Sequence, residues 1–276
     1  EVNCMMDHLF NDMEQNQKLE EIEAELERQR EAVLKEAMTQ YQDAAMDGDP
    51  RAQYALAHAY FQAQDYVTSF SWWSQAAKKG LTCAWTRVAL QYAYGLGVEQ
   101  DQSMAMDCLW KAIHGDPEDM NALAYLGLFY EQGIGVEKNL EQALSCYRQA
   151  AEHGDPMAQF TLGMCYFFGN GVEEDLQTAL KWVNAAAEQD WPEAQYFLGL
   201  QHFLGERVDR DLYLSLSYLR KAAANGSVDA KQLAELVEHD ISVEKQMRDV
   251  DGLNGMLDQF EAYLNSFGDY DDDEDE

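Results

Sequence analysis

Six histidines, His8, His58, His114, His153, His202 and His239, and five cysteines, Cys4, Cys83, Cys108, Cys146 and Cys165, are the side chains here best suited to hold a metal or attack a substrate. Zinc sites draw such residues together from short spacings such as HExxH or paired CxxC, and neither spacing occurs. The histidines read as isolated surface or lining residues, so no metal and no cofactor is expected. An odd number of cysteines without CxxC pairing reads as reduced thiols, which fits the cytoplasm. No GxSxG elbow, phosphate loop or dinucleotide fingerprint is present. The glycine pairs in GLGV, GIGV and GNGV follow helical patterns, whereas a dinucleotide loop must follow a strand. Carboxylate pairs are so common among 51 acidic residues that they say nothing about acid-base catalysis. A non-enzymatic protein is expected.

The formal net charge of -32 disfavours direct binding to nucleic acid phosphates and to anionic membrane surfaces, and favours basic partners. Part of it is local: residues Asp269 to Glu276 are nearly all acidic, and 268–276 is expected to be a disordered tail. At 47% hydrophobic and 12% aromatic, the remainder can bury a core. No apolar run of about 18 residues offers a membrane span. Residues Glu1 to Gln15 lack a basic region followed by an apolar core, so they predict no secretory signal, and a cytoplasmic location is expected.

What positions these residues is a repeated phrase. GIGVEKNLEQAL from Gly133 recurs 36 residues later as GNGVEEDLQTAL from Gly169, with weaker copies, GLGVEQDQSMAM from Gly95 and GERVDRDLYLSL from Gly205. A second phrase accompanies it: AAEHGDPMAQ from Ala150, AAMDGDPRAQ from Ala44, AAEQDWPEAQ from Ala186 and AAANGSVDAK from Ala222. Gly154, Asp190 and Gly226 then share one phase. A catalytic constellation needs stating once, whereas an architectural unit recurs, so the chain reads as a repeat protein with two helices per period.

In each GDP phrase the aspartate caps a helix A and the proline takes its first position, where the missing N–H costs nothing. Helix A follows patterns such as AQFTLGMCYFFG, with Ala158, Leu162, Gly163 and Tyr166 on one stripe. A glycine ends it in a left-handed conformation and the second glycine turns the loop. Val136 or Val172 fills the space between the paired helices. Asp101, Asn139, Asp175 or Asp211 caps helix B, whose packing stripe includes Ala143, Tyr147 and Ala150, then Ala179, Val183 and Ala186.

The recurring order A…LG…Y…GxGV…D…A…W…AA…G resembles the Sel-1-like repeat, a relative of the tetratricopeptide repeat with a longer interhelical loop, over about Ala44 to Asp229. The resemblance implies an all-α fold, a right-handed alpha-alpha superhelix or solenoid of about five helix pairs, serving as adaptor or scaffold in protein complexes. There are departures. The unit from Ala52 to Lys79 lacks GxGV and has a shortened loop, the Gly115 unit carries about three extra residues around Glu118 to Met120, and GERV at Gly205 loses the second glycine. The cysteines are not arranged as in relatives with a disulfide in each repeat. Residues 1–43 are expected to form an N-terminal amphipathic helical cap, with Leu19, Ile22, Leu26 and Val33 at helical spacing and the heptad broken at Asp12 and Gln29. The solenoid occupies 44–226, and 227–267 forms C-terminal capping helices: one over Val228 to Val237 and another one or two from Val243 to Phe267.

Aligned to the tetratricopeptide pattern, the residues two, six and nine positions after the first small residue of helix A face the concave groove. They are Tyr54, His58 and Phe61; Thr86, Leu90 and Ala93; Ala124, Leu128 and Glu131; Phe160, Met164 and Phe167; and Tyr196, Leu200 and Phe203. So apolar a stripe requires cover. Three readings stand: it is packing between repeats, it is covered by the chain's own terminal helix, or it binds a partner's helix or extended peptide with basic flanks. The function expected is a protein-interaction adaptor. The second reading is an acidic inhibitor, of the toxin-neutralising immunity type or a nucleic-acid mimic, that blocks a basic surface. Oligomeric state is not legible.

Overall fold

The computed structural model describes residues 2–265, with side chains described from 24 to 247. Among the described residues there are twelve α-helices and no strand: α1 (Val2–Met46), α2 (Pro50–Gln62), α3 (Tyr66–Lys78), α4 (Cys83–Tyr94), α5 (Gln102–Gly115), α6 (Met120–Gln132), α7 (Leu140–Glu152), α8 (Pro156–Phe168), α9 (Leu176–Glu188), α10 (Pro192–Leu204), α11 (Leu212–Ala224) and α12 (Val228–Asn265). The fold is an all-α helical repeat in which the even-numbered helices α2 to α10 are the A helices and their odd-numbered successors the B helices. The acidic tail at 268–276 lies outside the described residues. The chain divides into two compact units, Glu1–Ala158 and Gln159–Glu276, so the boundary falls in the first turn of α8.

The caps form where the repeated phrases place them. Asp49 accepts from the Arg51 amide and Asp155 from the Ala158 amide, with Pro50 and Pro156 opening the helices behind them. Asp101, Asn139, Asp175 and Asp211 each accept from the amide three residues on, starting α5, α7, α9 and α11. Each cap satisfies an amide that the helix cannot, a contribution of about 1 kcal/mol.

Within a pair, the glycine of the LG dipeptide lets one large side chain from helix B reach the A helix. A Cβ on Gly127 would stand 2.8 Å from the Tyr147 ring, one on Gly163 2.7 Å from Val183, and one on Gly199 2.7 Å from Leu219. Tyr147, Val183 and Leu219 are themselves completely buried. In the first unit, Trp73 of α3 and Leu109 of α5 join Ala57, Ala89, Val88 and Phe129 in one continuous core. In the second, Leu219 and Leu212 of α11 pack with Ala230, Ala234 and Val237 of α12.

The second glycine of GxGV is needed for space as well as for its dihedral angle. Gly135 has φ +69°, and a Cβ there would lie 2.3 Å from the Gln102 carbonyl oxygen at the start of the preceding B helix. Where GERV puts Arg207 at this position, the backbone is not left-handed. Instead, the Arg207 guanidinium lies over the Phe167 ring at 4.3 Å, donates to the Phe167 carbonyl at 2.8 Å and pairs with Glu174. Arg207 therefore substitutes a side-chain tie for a close backbone contact.

Both ends differ from expectation in one respect. α12 is a single helix where two or three are expected over Val228 to Phe267: no glycine or proline interrupts it before Gly252, and Arg220 to Glu238 and Arg210 to Glu244 tie its middle to the preceding pair. α1 runs past the expected boundary at position 43, to Met46. Its last turns pack on α2 through Met38, Tyr41 and the buried Ala45, in the manner of a B helix.

Candidate protein interface

In the first unit, the exposed face of the A helices is turned slightly from the expected register. Thr86, Ala93 and Ala124 are buried, at 1%, 2% and 0% exposure, whereas Leu90 and Leu128, at the sixth position, are half-buried. The neighbours of the buried positions come outward: Arg87 and Tyr125 at the third position are half-buried and Tyr94 at the tenth is exposed. At about 100° per residue, the third, sixth and tenth positions share one face. Glu131, the one carboxylate of the expected stripe, accepts from the Tyr147 hydroxyl at 2.7 Å. Phe61 is half-buried and belongs to the core, its ring 5.3 Å from Trp73.

Tyr54 and His58 line a recess with Val33, Ala37 and Tyr41 of α1. Tyr54 also reaches α4, where its hydroxyl accepts from Arg87 Nε at 3.2 Å. The Tyr125 phenol of α6 also lies close to the Arg87 guanidinium. Burial would lower the Arg87 pKa, but the two phenol oxygens outweigh it and hold the group above its ordinary value. His58 is exposed, yet partial desolvation and then the Arg87 charge lower its pKa.

In the second unit, Phe160, Met164, Tyr196, Leu200 and Phe203 are half-buried, and Phe167 is 4% exposed. Phe167 packs edge-on against Phe168 and Phe197, with ring centroids 5.0 Å from both. It lies beneath the surface, so the side chains available to a partner at its end of α8 include the exposed Phe168, with Leu204 at the same position of α10. Phe160 and Tyr196 share a recess with Pro192, Phe197 and the turn from Asn225 to Asp229. Tyr196 and Phe203 also pack against the core beneath α11 and α12.

Sequence reading did not assign the glutamine that ends the AQ phrase. Gln53 and Gln195 are buried and donate to the Ala45 and Ala187 carbonyls at the end of the preceding helix, at 3.0 and 3.1 Å. The Gln195 oxygen in turn accepts from Asn225 of the next turn at 3.1 Å, and Gln159 from Gln189 at 2.8 Å. The recurrence of the glutamine was the available signal. These bonds fix the A helices beside one another and hold their faces in register.

The other reactive groups do not converge. Burial raises the pKa of the Cys83, Cys108 and Cys146 thiols, with the Asp119 charge adding to it at Cys83. Such thiols are poor nucleophiles. Among the described residues, no three of the His, Cys, Asp and Glu side chains gather to hold a metal, and no helix is long and apolar enough to cross a membrane.

The Sel1 repeat matches five times in succession, at residues 50–81, 86–115, 121–155, 156–191 and 192–227, more than half of the chain. The chain belongs to the Sel1 repeat family. Comparison with curated proteins gives no match. Among solved structures, the chain is similar to a Sel1 repeat protein from Oxalobacter formigenes, with 29% identity and a TM-score of 0.56 over 71% of this chain and 86% of that one. It is similar to a protective antigen with an SLR fold from uropathogenic Escherichia coli, with 28% identity and a TM-score of 0.50 over 72% of this chain but 44% of that one. A Sel1 repeat protein from Klebsiella pneumoniae subsp. pneumoniae shares the fold, with 22% identity and a TM-score of 0.51 over 72% of this chain and 98% of that one. Sel1 repeats generally build protein-interaction scaffolds without catalysis of their own.

Proposed function

We propose that this Sel1 repeat protein is a non-enzymatic scaffold whose units each bind a partner's helix or extended segment on the face of their A helices, the first unit through Tyr54, His58, Leu90 and Leu128 and the second through Phe160, Met164, Tyr196, Leu200 and Phe203. The observation that carries the reading is the sixth position. It is leucine or methionine in Leu90, Leu128, Met164 and Leu200, and in each case the side chain is neither buried as a core residue would be nor fully solvated. A few such anchors, clustered and partly desolvated, supply most of the energy of an interface. The negative charge of the chain favours basic residues flanking the bound segment.

The test is site-specific photo-crosslinking in extract of the native host. A crosslinker at Leu90 or Leu128 in the first unit, or at Met164 or Leu200 in the second, should capture a partner, and one at the B-helix positions Gln75 or Arg148 should not. Leu128→Asp and Leu200→Asp should each weaken that partner at least tenfold while leaving the melting temperature close to wild type. Capture from Gln75 and Arg148 alone would move the binding surface to the opposite side.

A further inference from the structure

Arg87 is chemically out of place. The chain has 51 acidic residues against 19 basic ones, and Arg207, half-buried like Arg87, pairs with a carboxylate. Arg87 is half-buried on the A-helix face and, among the described residues, has no ion pair; it donates to the Tyr54 phenol and lies close to that of Tyr125. A guanidinium carries only donors, so the Tyr54 oxygen must act as acceptor towards it, as must that of Tyr125 wherever the two meet. The phenol protons are thereby directed away from the arginine. Tyr54 on α2, Arg87 on α4 and Tyr125 on α6 thus gather two O–H donors and the remaining N–H donors of one cation from three successive A helices. The only charge among them is positive.

We propose that Arg87, Tyr54 and Tyr125 form a receptor for one carboxylate of a bound peptide, supplied by an aspartate or glutamate side chain or by a chain terminus. The proposal rests on the A-helix face being the binding face, and it adds the one polar group that the partner must present there. A carboxylate fits better than a phosphate. Its single charge suits a single guanidinium, whose planar N–H pairs match two coplanar oxygens, and the field of so acidic a chain opposes a dianion more strongly. The same cluster gives register: Leu90 is one turn along α4 from Arg87, so a partner with an acidic residue on Arg87 must set an apolar one on Leu90 or Leu128.

The site is tested without a known partner by following the arginine Nε–H resonances of the full chain during titration with acetate, with sodium chloride at equal ionic strength as reference. The Arg87 resonance, identified by its loss in Arg87→Lys, should shift saturably with acetate. Tyr125→Phe, which keeps the ring and removes the donor, should weaken acetate roughly three- to tenfold. An acetate response no larger than that of chloride overturns the proposal, as does tighter binding of inorganic phosphate. Selection of displayed peptides, one library with internal random segments and one with free C-termini, distinguishes the two carboxylate sources. Peptides lost on Leu90→Asp but indifferent to Arg87→Lys would overturn the carboxylate site and leave the binding face standing. Acidic peptides lost on Arg87→Lys but indifferent to Leu90→Asp would leave the site and reject the face.

Discussion

His58 reports on its neighbour Arg87 through its own titration. Its pKa lies below 6.5 because partial desolvation and then the Arg87 charge disfavour the imidazolium. Between that folded value and 6.5 the unfolded chain binds more protons than the folded one, so His58 makes stability fall as pH drops through this window. Unfolding midpoints in urea measured from pH 7.5 down to 5 should show a shallower decline in His58→Asn than in wild type; equal slopes would mean that the ring is not under this influence. A second single-residue effect is purely of the backbone. Gln64 follows α2 with φ +64°, in the left-handed region that a Cβ disfavours, and its side chain is exposed. Gln64→Gly should raise stability by roughly 0.5–1 kcal/mol, seen as a higher melting temperature. A lower one would show that Gln64 makes a contact that outweighs its strain.

Among the elements, the glutamine clamp is where repeats are joined by polar bonds rather than by apolar packing. Gln195 is fully buried, donates to Ala187 and Asp190, and accepts from Asn225. Gln195→Leu would preserve volume and strand these partners, at a cost of about 2–4 kcal/mol in the unfolding midpoint. A variant as stable as wild type would show that the clamp orients α10 without stabilising it. Helices, caps and loops were legible because each is decided within a few residues and repeated: an Asp three residues before an amide, a Gly where a chain must reverse, a Tyr or Val opposite an LG. The sixth-position stripe was legible for the same reason. Arg87, Tyr94 and Tyr125 were not, because a borrowed register placed Thr86, Ala93 and Ala124 outward, and the rotation of each A helix is set by neighbours distant in sequence. The continuity of α12 was missed because the ion pairs that fix its middle come from Arg210 and Arg220 in the preceding repeat.

For the whole molecule, a formal charge of -32 acts on folding and on binding in opposite ways as salt is added. Folding concentrates like charge, so the compact state repels itself, and screening should relieve this. The melting temperature should therefore rise as sodium chloride increases from about 0.01 to 0.3 M, over which the Debye length shortens from about 30 Å to several ångströms. Binding carries the contrast between an apolar face and a charged decoy. If Leu90, Leu128, Met164 and Leu200 are the anchors, a partner held by them loses only its long-range attraction, chiefly as a slower association rate, and the complex should persist at about 0.5 M salt. If the chain instead blocked a basic surface by charge alone, affinity would fall by orders of magnitude over the same range, as it does when many ion contacts are screened together. Measuring association and dissociation rates separately decides between them: for the apolar face, salt should slow the first and hardly change the second. A dissociation rate that climbs steeply with salt would reject the A-helix anchors as the source of affinity.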